Sequence, residues 1–131
     1  MKINRGREAG LKSEQRSATF TGEVWADPVL EQTGGVMINS VFFATGARTY
    51  WHRHEHGQVL YVTSGQGRVY ARDGVGGTIR AGDTVWIPPG EEHWHGAGSD
   101  SYLVHLAVSL GKSEWLDEVS EEDYEREGEA T

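Results

Sequence analysis

Cysteine is absent from this 131-residue chain, and proline occurs only three times. No window approaches the roughly 20 consecutive apolar residues that a membrane-spanning helix needs. Each absence excludes something. Without thiols there is no disulfide, no thiolate metal site and no thiol nucleophile, and the expected location is the cytoplasm. Basic residues are scarce as well, 12 Lys and Arg against 20 Asp and Glu, for a formal charge of -8. That balance repels nucleic acid phosphates and anionic lipid, so neither is an expected partner. A small neutral or weakly polar molecule is the default ligand. The start, MKINRGREAGLKSEQ, carries positive charge with no apolar run behind it, so no secretory signal is expected.

What the chain does have is glycine, 18 residues of it, spaced between short apolar runs. VMINSVFF ends at ATGA, QVLYVTSG stops at Ser-Gly, and TVWIPPGEEHWHGAG breaks at a Pro-Pro-Gly corner. FTGEVWADPVLEQ contains a proline and reads as an edge strand. About eight short strands result, with turns at intervals of roughly 8–12 residues, as in an all-β sandwich or barrel. Residues 1–131 read as one domain. The acidic tail from about 113 to 131 is expected to be helical, with Ser120 as N-cap, Asp123 three residues on and an acidic first turn.

All six histidines fall between His52 and His105, and this crowding is the main functional signal. In WHRHEHGQ, His52 and His54 share a strand face, and Gln58 lies across the turn Glu55–Gly57. His93 follows on another strand, beyond Pro88–Pro89–Gly90. Three imidazoles and an amide oxygen suit a divalent first-row metal. A lone HxH is as often surface decoration. His56 is set aside, because the glycine after it turns the chain away. His95 reads as a rim group or a support behind the ligands. His105, in YLVHLAVSL, is either a satisfied buried histidine or an acid/base facing the lumen.

Spacing carries a resemblance. Gly46, five residues, His52-Arg53-His54, three residues, Gln58, six residues and Gly65 resemble the first motif of the cupin family. Gly82, five residues, Pro88-Pro89-Gly90, two residues and His93 resemble the second. The likeness spans about residues 36–108. It implies a double-stranded β-helix, the jelly-roll barrel, with a metal in its mouth, commonly as a homodimer or higher homo-oligomer. Two positions depart from the usual pattern: Gln58 stands where a Glu is usual, and Ala97 where an Asn is usual. A neutral oxygen donor leaves the centre one positive charge richer, which favours polarising a substrate oxygen over cycling through oxidised metal.

GARTYWHRHEHGQVLYVTSGQG and GDTVWIPPGEEHWHGA further resemble a narrower group of small bacterial cupins. That group includes manganese-dependent hydroxynitrile lyases and carboxymuconolactone-decarboxylase-like proteins. The likeness implies His52, His54, Gln58 and His93 as ligands, His105 as acid/base and Mn(II) as the metal, with Fe(II), Ni(II) or Zn(II) as alternatives. Strand parity adds Asn39, Val41 and Ser109 to the pocket, with Leu60 at its floor. Asn39 is equally a substrate hydrogen bond or a satisfied core amide. Tyr50 and His95 are expected at the rim; Trp94 suits core packing better. Three readings follow: a redox-neutral lyase, a quercetinase-like metal-dependent dioxygenase, and a noncatalytic metal-bound binding or sensing module. The first is preferred because of Gln58.

Overall fold

Alternation between buried and half-buried residues, interrupted by turn glycines, makes this chain a succession of antiparallel strands. LVHLAVSL shows the pattern: Leu103, His105, Ala107 and Ser109 are buried, and the residues between them are half-buried. The structure is a computed structural model and describes residues 1–6 and 12–126. Among these described residues twelve strands are formed: β1 (Glu14–Arg16), β2 (Phe20–Thr21), β3 (Val24–Thr33), β4 (Val36–Phe43), β5 (Arg48–Thr49) and β6 (His52–His54) in the first half. β7 (Gln58–Ala71), β8 (Gly76–Arg80), β9 (Thr84–Ile87), β10 (His93–Ala97), β11 (Leu103–Leu110) and β12 (Ser113–Trp115) follow, then one helix, α1 (Glu121–Glu125).

The strands form a nearly closed antiparallel jelly-roll barrel. One face runs β1-β3-β4-β11-β7, with β9 on the far side of β7. The other holds β7, β10, β5 and β2, with β8 on β7 and the short β6–β12 pair on β10. β7 belongs to both faces. Its first half pairs with β11 and β9, and its second half with β10 and β8. Gly65, with φ of 80°, and Gly67 sit at that change of face. A Cβ on Gly65 would collide with the Tyr102 carbonyl oxygen, and one on Gly67 with that of Gly96.

Twelve strands stand where sequence suggested about eight, because β1, β2, β5, β6 and β12 span only two or three residues each. So few residues cannot display an alternation. The edge reading of the segment around Pro28 holds locally. β1 pairs only with Val24–Ala26, which leaves Pro28 without a neighbour on that side, and the β3–β4 register shifts between Pro28 and Leu30.

The barrel interior packs Val24, Phe43, Leu60, Val62 and Leu103 with smaller apolar neighbours. A second cluster, Trp51, Tyr70, Trp94, Val119 and Tyr124, joins the C-terminal segment to the barrel. Trp94 therefore serves packing. Ser120 caps α1 by accepting from the Asp123 backbone N–H at 3.1 Å, as its position suggests. The helix is shorter than expected, however. Ser113–Trp115 is a strand on β6, and only five residues are helical. Residues 127–131 of the expected helical tail lie outside the described residues. No helix among the described residues is long and apolar enough to cross a membrane.

Candidate metal centre

His52 and His54 point to one side of β6 because alternate residues share a face. Both are buried, whereas Arg53 between them turns out to meet Glu114 at 2.7 Å and Glu92 at 3.6 Å. β10 lies antiparallel to β6 with His93 opposite His52, which brings a third imidazole alongside. The ring centroids of His52 and His93 are 4.2 Å apart, and His54 lies 5.7 Å from His93. Gln58 opens β7 after a turn that requires glycine. Gly57 has φ of 100°, and a Cβ there would come within 2.8 Å of the Ile87 carbonyl oxygen.

Hydrogen bonds fix how these groups present themselves. His52 donates from Nδ1–H to the Tyr50 carbonyl at 2.9 Å, and His93 from Nδ1–H to the Glu91 carbonyl at 2.9 Å. A carbonyl can only accept, so each neutral ring carries its proton on Nδ1 and a lone pair on Nε2. Gln58 donates from Nε2 to Ser109 Oγ at 3.1 Å, which turns its Oε1 toward His93. The His93 Nε2 and Gln58 Oε1 atoms are 2.9 Å apart. Two lone pairs thus face each other across a distance that only a shared proton or a cation makes favourable.

A proton is disfavoured there. Burial pushes His93 down to about 4, against which the Glu91 hydrogen bond works and to which His54 adds. Burial likewise lowers His54 to about 4, with the neighbouring Gln58 side chain opposing. His52 and His95 are held well below the ordinary imidazole range, by burial first and then by their histidine neighbours. His54 Nε2 and His95 Nε2 are buried without hydrogen-bond partners. Neutral imidazoles with unused lone pairs, beside an amide oxygen, fit a divalent first-row cation. His52, His93 and His95 could hold a metal ion: their ligand atoms lie within 4.8 Å of one another.

The cluster opens into a cavity of about 380 Å³. Of the expected pocket residues, Asn39, Val41, His95 and Ser109 line it, together with His52, His54 and Gln58. Tyr50 does not. It precedes β6 and contributes its backbone carbonyl to His52, not an aromatic rim. Leu60 shares the face of Gln58 but lies one step deeper, in the apolar core. His105 is fully buried and lies off the cavity wall, with its Nε2 3.0 Å from His95 Nδ1. His56 is exposed beside Glu55, away from the cluster. Met37 also lines the cavity and was legible from the parity of Asn39 and Val41. Arg16, Thr19, Phe20, Ser113 and Trp115 line it too, and nothing in the local sequence signalled them.

Residues 39–109 match the sequence profile of the cupin domain. This chain belongs to the cupin family. The cupin is 42% identical over 113 residues to (R)-mandelonitrile lyase of Granulicella tundricola, covering 82% of this chain and 86% of that one. A cupin-like protein from Thermotoga maritima superposes with a TM-score of 0.84 at 36% identity, over 95% of this chain and 100% of that one. The polyketide cyclase RemF from Streptomyces resistomycificus shares the fold at 21% identity, with a TM-score of 0.72 over 95% and 92% of the two chains.

Proposed function

We propose that this cupin is a metal-dependent, redox-neutral lyase that cleaves or forms the carbon–carbon bond of an α-hydroxynitrile. The reading is carried by one observation: a cluster of buried neutral acceptors in a chain 42% identical to a mandelonitrile lyase. His52 and His93 would hold the ion with His54 and Gln58, which leaves His95, the third member of the set within reach, to the substrate; Mn(II) stands in first place, with Fe(II), Ni(II) or Zn(II) as substitutes. When bound, the ion supplies Lewis-acid polarisation of a substrate oxygen, strengthened by a donor set that carries no negative charge.

The remaining steps belong to the chain. His95 stands on the cavity wall with Nε2 unpartnered, so it is the base that meets substrate. Its Nε2 takes the hydroxyl proton of the cyanohydrin. The carbon–oxygen double bond forms as the carbon–cyanide bond breaks, and its electron pair leaves on cyanide, which receives the proton. His105 acts through His95. The 3.0 Å contact between His95 Nδ1 and His105 Nε2 lets the pair exchange one proton, so that taking a proton at His95 Nε2 moves another onto His105. Asn39 and Ser109 offer hydrogen bonds within the apolar wall formed by Met37, Val41, Phe43 and Ala107. That surface suits an aromatic or aliphatic aldehyde portion.

The test is to substitute His95→Ala and His105→Ala separately and to measure both metal content and mandelonitrile cleavage. The reading expects metal retained in both variants, with cleavage lost at His95 and reduced at His105. Full cleavage in both variants would end the assigned roles. A homodimer is also proposed. The outward residues of β11, Val104, Leu106, Val108 and Leu110, are all apolar and only half-buried, beside Val36, Ile38 and the exposed Phe42 on β4.

A further inference from the structure

The C-terminal segment lies beyond the span that matches the cupin domain, which ends at residue 109. It nevertheless reaches the centre. β12 pairs with β6 in a register that sets Ser113 opposite His54 and Trp115 opposite His52. Ser113 Oγ lies 2.9 Å from His54 Nδ1, and the Trp115 ring lies 4.6 Å from the His52 ring at an interplanar angle of 32°.

The three histidines differ in who orients them. His52 and His93 each donate to the carbonyl two residues earlier in their own segment. Those bonds are local and are made wherever the strand forms. His54 has no such arrangement; its Nδ1 partner arrives from 59 residues further along the chain. Without that partner both neutral tautomers of His54 are open to it, and one of them puts a proton on Nε2, the atom that a metal requires free.

We infer that Ser113 is a positioning residue: its Oγ accepts from His54 Nδ1–H and thereby keeps the Nε2 lone pair turned into the centre. The inference rests on the proposed reading of His54 as a ligand. It gives the C-terminal segment a chemical task, and the segment is fastened accordingly. The Leu116 backbone N–H donates to the Trp51 carbonyl at 2.8 Å, and the Trp51 N–H donates to the Asp117 carbonyl at 2.9 Å. Arg72 bonds both Asp117 and Glu92 beside them. Further on, Tyr124 donates its hydroxyl to the Ala97 carbonyl at 2.9 Å, and the Arg48 and Arg68 guanidiniums lie 4.3 and 4.6 Å from its ring centroid. These contacts hold β12 against β6, and β12 holds Ser113 against His54.

Ser113 is exposed, so its replacement leaves the core untouched. The experiment compares the unaltered chain with Ser113→Ala, Ser113→Thr and His54→Ala. Mn(II) and Zn(II) affinity is measured by chelator competition, and the His54 tautomer of the metal-free protein is read from its imidazole 15N shifts. Removing an outer partner of a ligating histidine costs about 10–100-fold in metal affinity. Ser113→Ala is expected to show that loss with a mixed His54 tautomer, and Ser113→Thr to restore both. If His54→Ala weakens binding while Ser113→Ala binds as the unaltered chain does, the positioning role is overturned and the ligand reading stands. If His54→Ala itself binds normally, His54 is not a ligand and the inference falls with that reading.

Discussion

Lowering the pH should unfold the metal-free protein well before its carboxylates titrate. Five histidines are buried, and burial holds each below its ordinary value; His54, His93 and His105 are held at about 4. In the unfolded chain the same groups titrate near 6.5. Between about 4 and 6.5 the unfolded chain therefore binds more protons than the folded one, so stability is complete above that window and is lost as pH falls through it. From pH 6.5 to 5, one such histidine removes on the order of 1–2 kcal/mol, and His54, His93 and His105 together a few kcal/mol. His52 and His95 act in the same direction. Domains of this size are stable by about 5–15 kcal/mol, so a large part of the total is at stake. The assay is urea denaturation of chelator-treated protein at several pH values, followed by the fluorescence of its five tryptophans. Metal-loaded protein should resist to lower pH, because bound imidazoles do not take up protons. A midpoint unchanged between pH 7 and 5 in the metal-free protein would refute the burial argument.

Other outcomes follow from packing and surface. Gly96→Ala should destabilise by about 3 kcal/mol, at the upper end of overpacking costs. Its Cβ would come within 2.6 Å of Arg48 Cα and strike the Ala47 carbonyl, and backbone cannot move aside as a side chain can; denaturant melts of the variant read the cost. Leu106→Glu should convert the proposed dimer into a monomer with the barrel intact, as seen by sedimentation together with circular dichroism. A persistent dimer would move the interface off the outer face of β11.

The strands and the His52–His54 pair were legible because both depend on near neighbours, whereas His93 entered through the spacing that resembles the cupin motifs. Parity within β6 and β11 places His52 with His54, and His105 with Ser109, from two-residue spacing alone. Parity does not reach Tyr50, expected at the rim, which precedes β6 and lends the centre its backbone carbonyl. It also gives direction without depth: Leu60 and His105 do face inward, yet they lie below the cavity rather than on its wall. Ser113 and Trp115 were missed for a different reason. Their acidic surroundings resemble a solvated helix, and only pairing with β6, some 60 positions earlier, reveals them as part of the centre. Gln58 stood out at the sequence level as a departure. The structure adds the Ser109 bond that aims its oxygen.

Aldehyde release from (R)-mandelonitrile tests the central claim most directly, using chelator-treated protein before and after Mn(II) is returned, under air and under nitrogen. The proposed chemistry needs the metal and no oxidant. Cleavage should therefore be absent from the stripped protein, return with one equivalent of Mn(II), and proceed at the same rate in both atmospheres. Activity that persists without metal, or that stops under nitrogen, would contradict it.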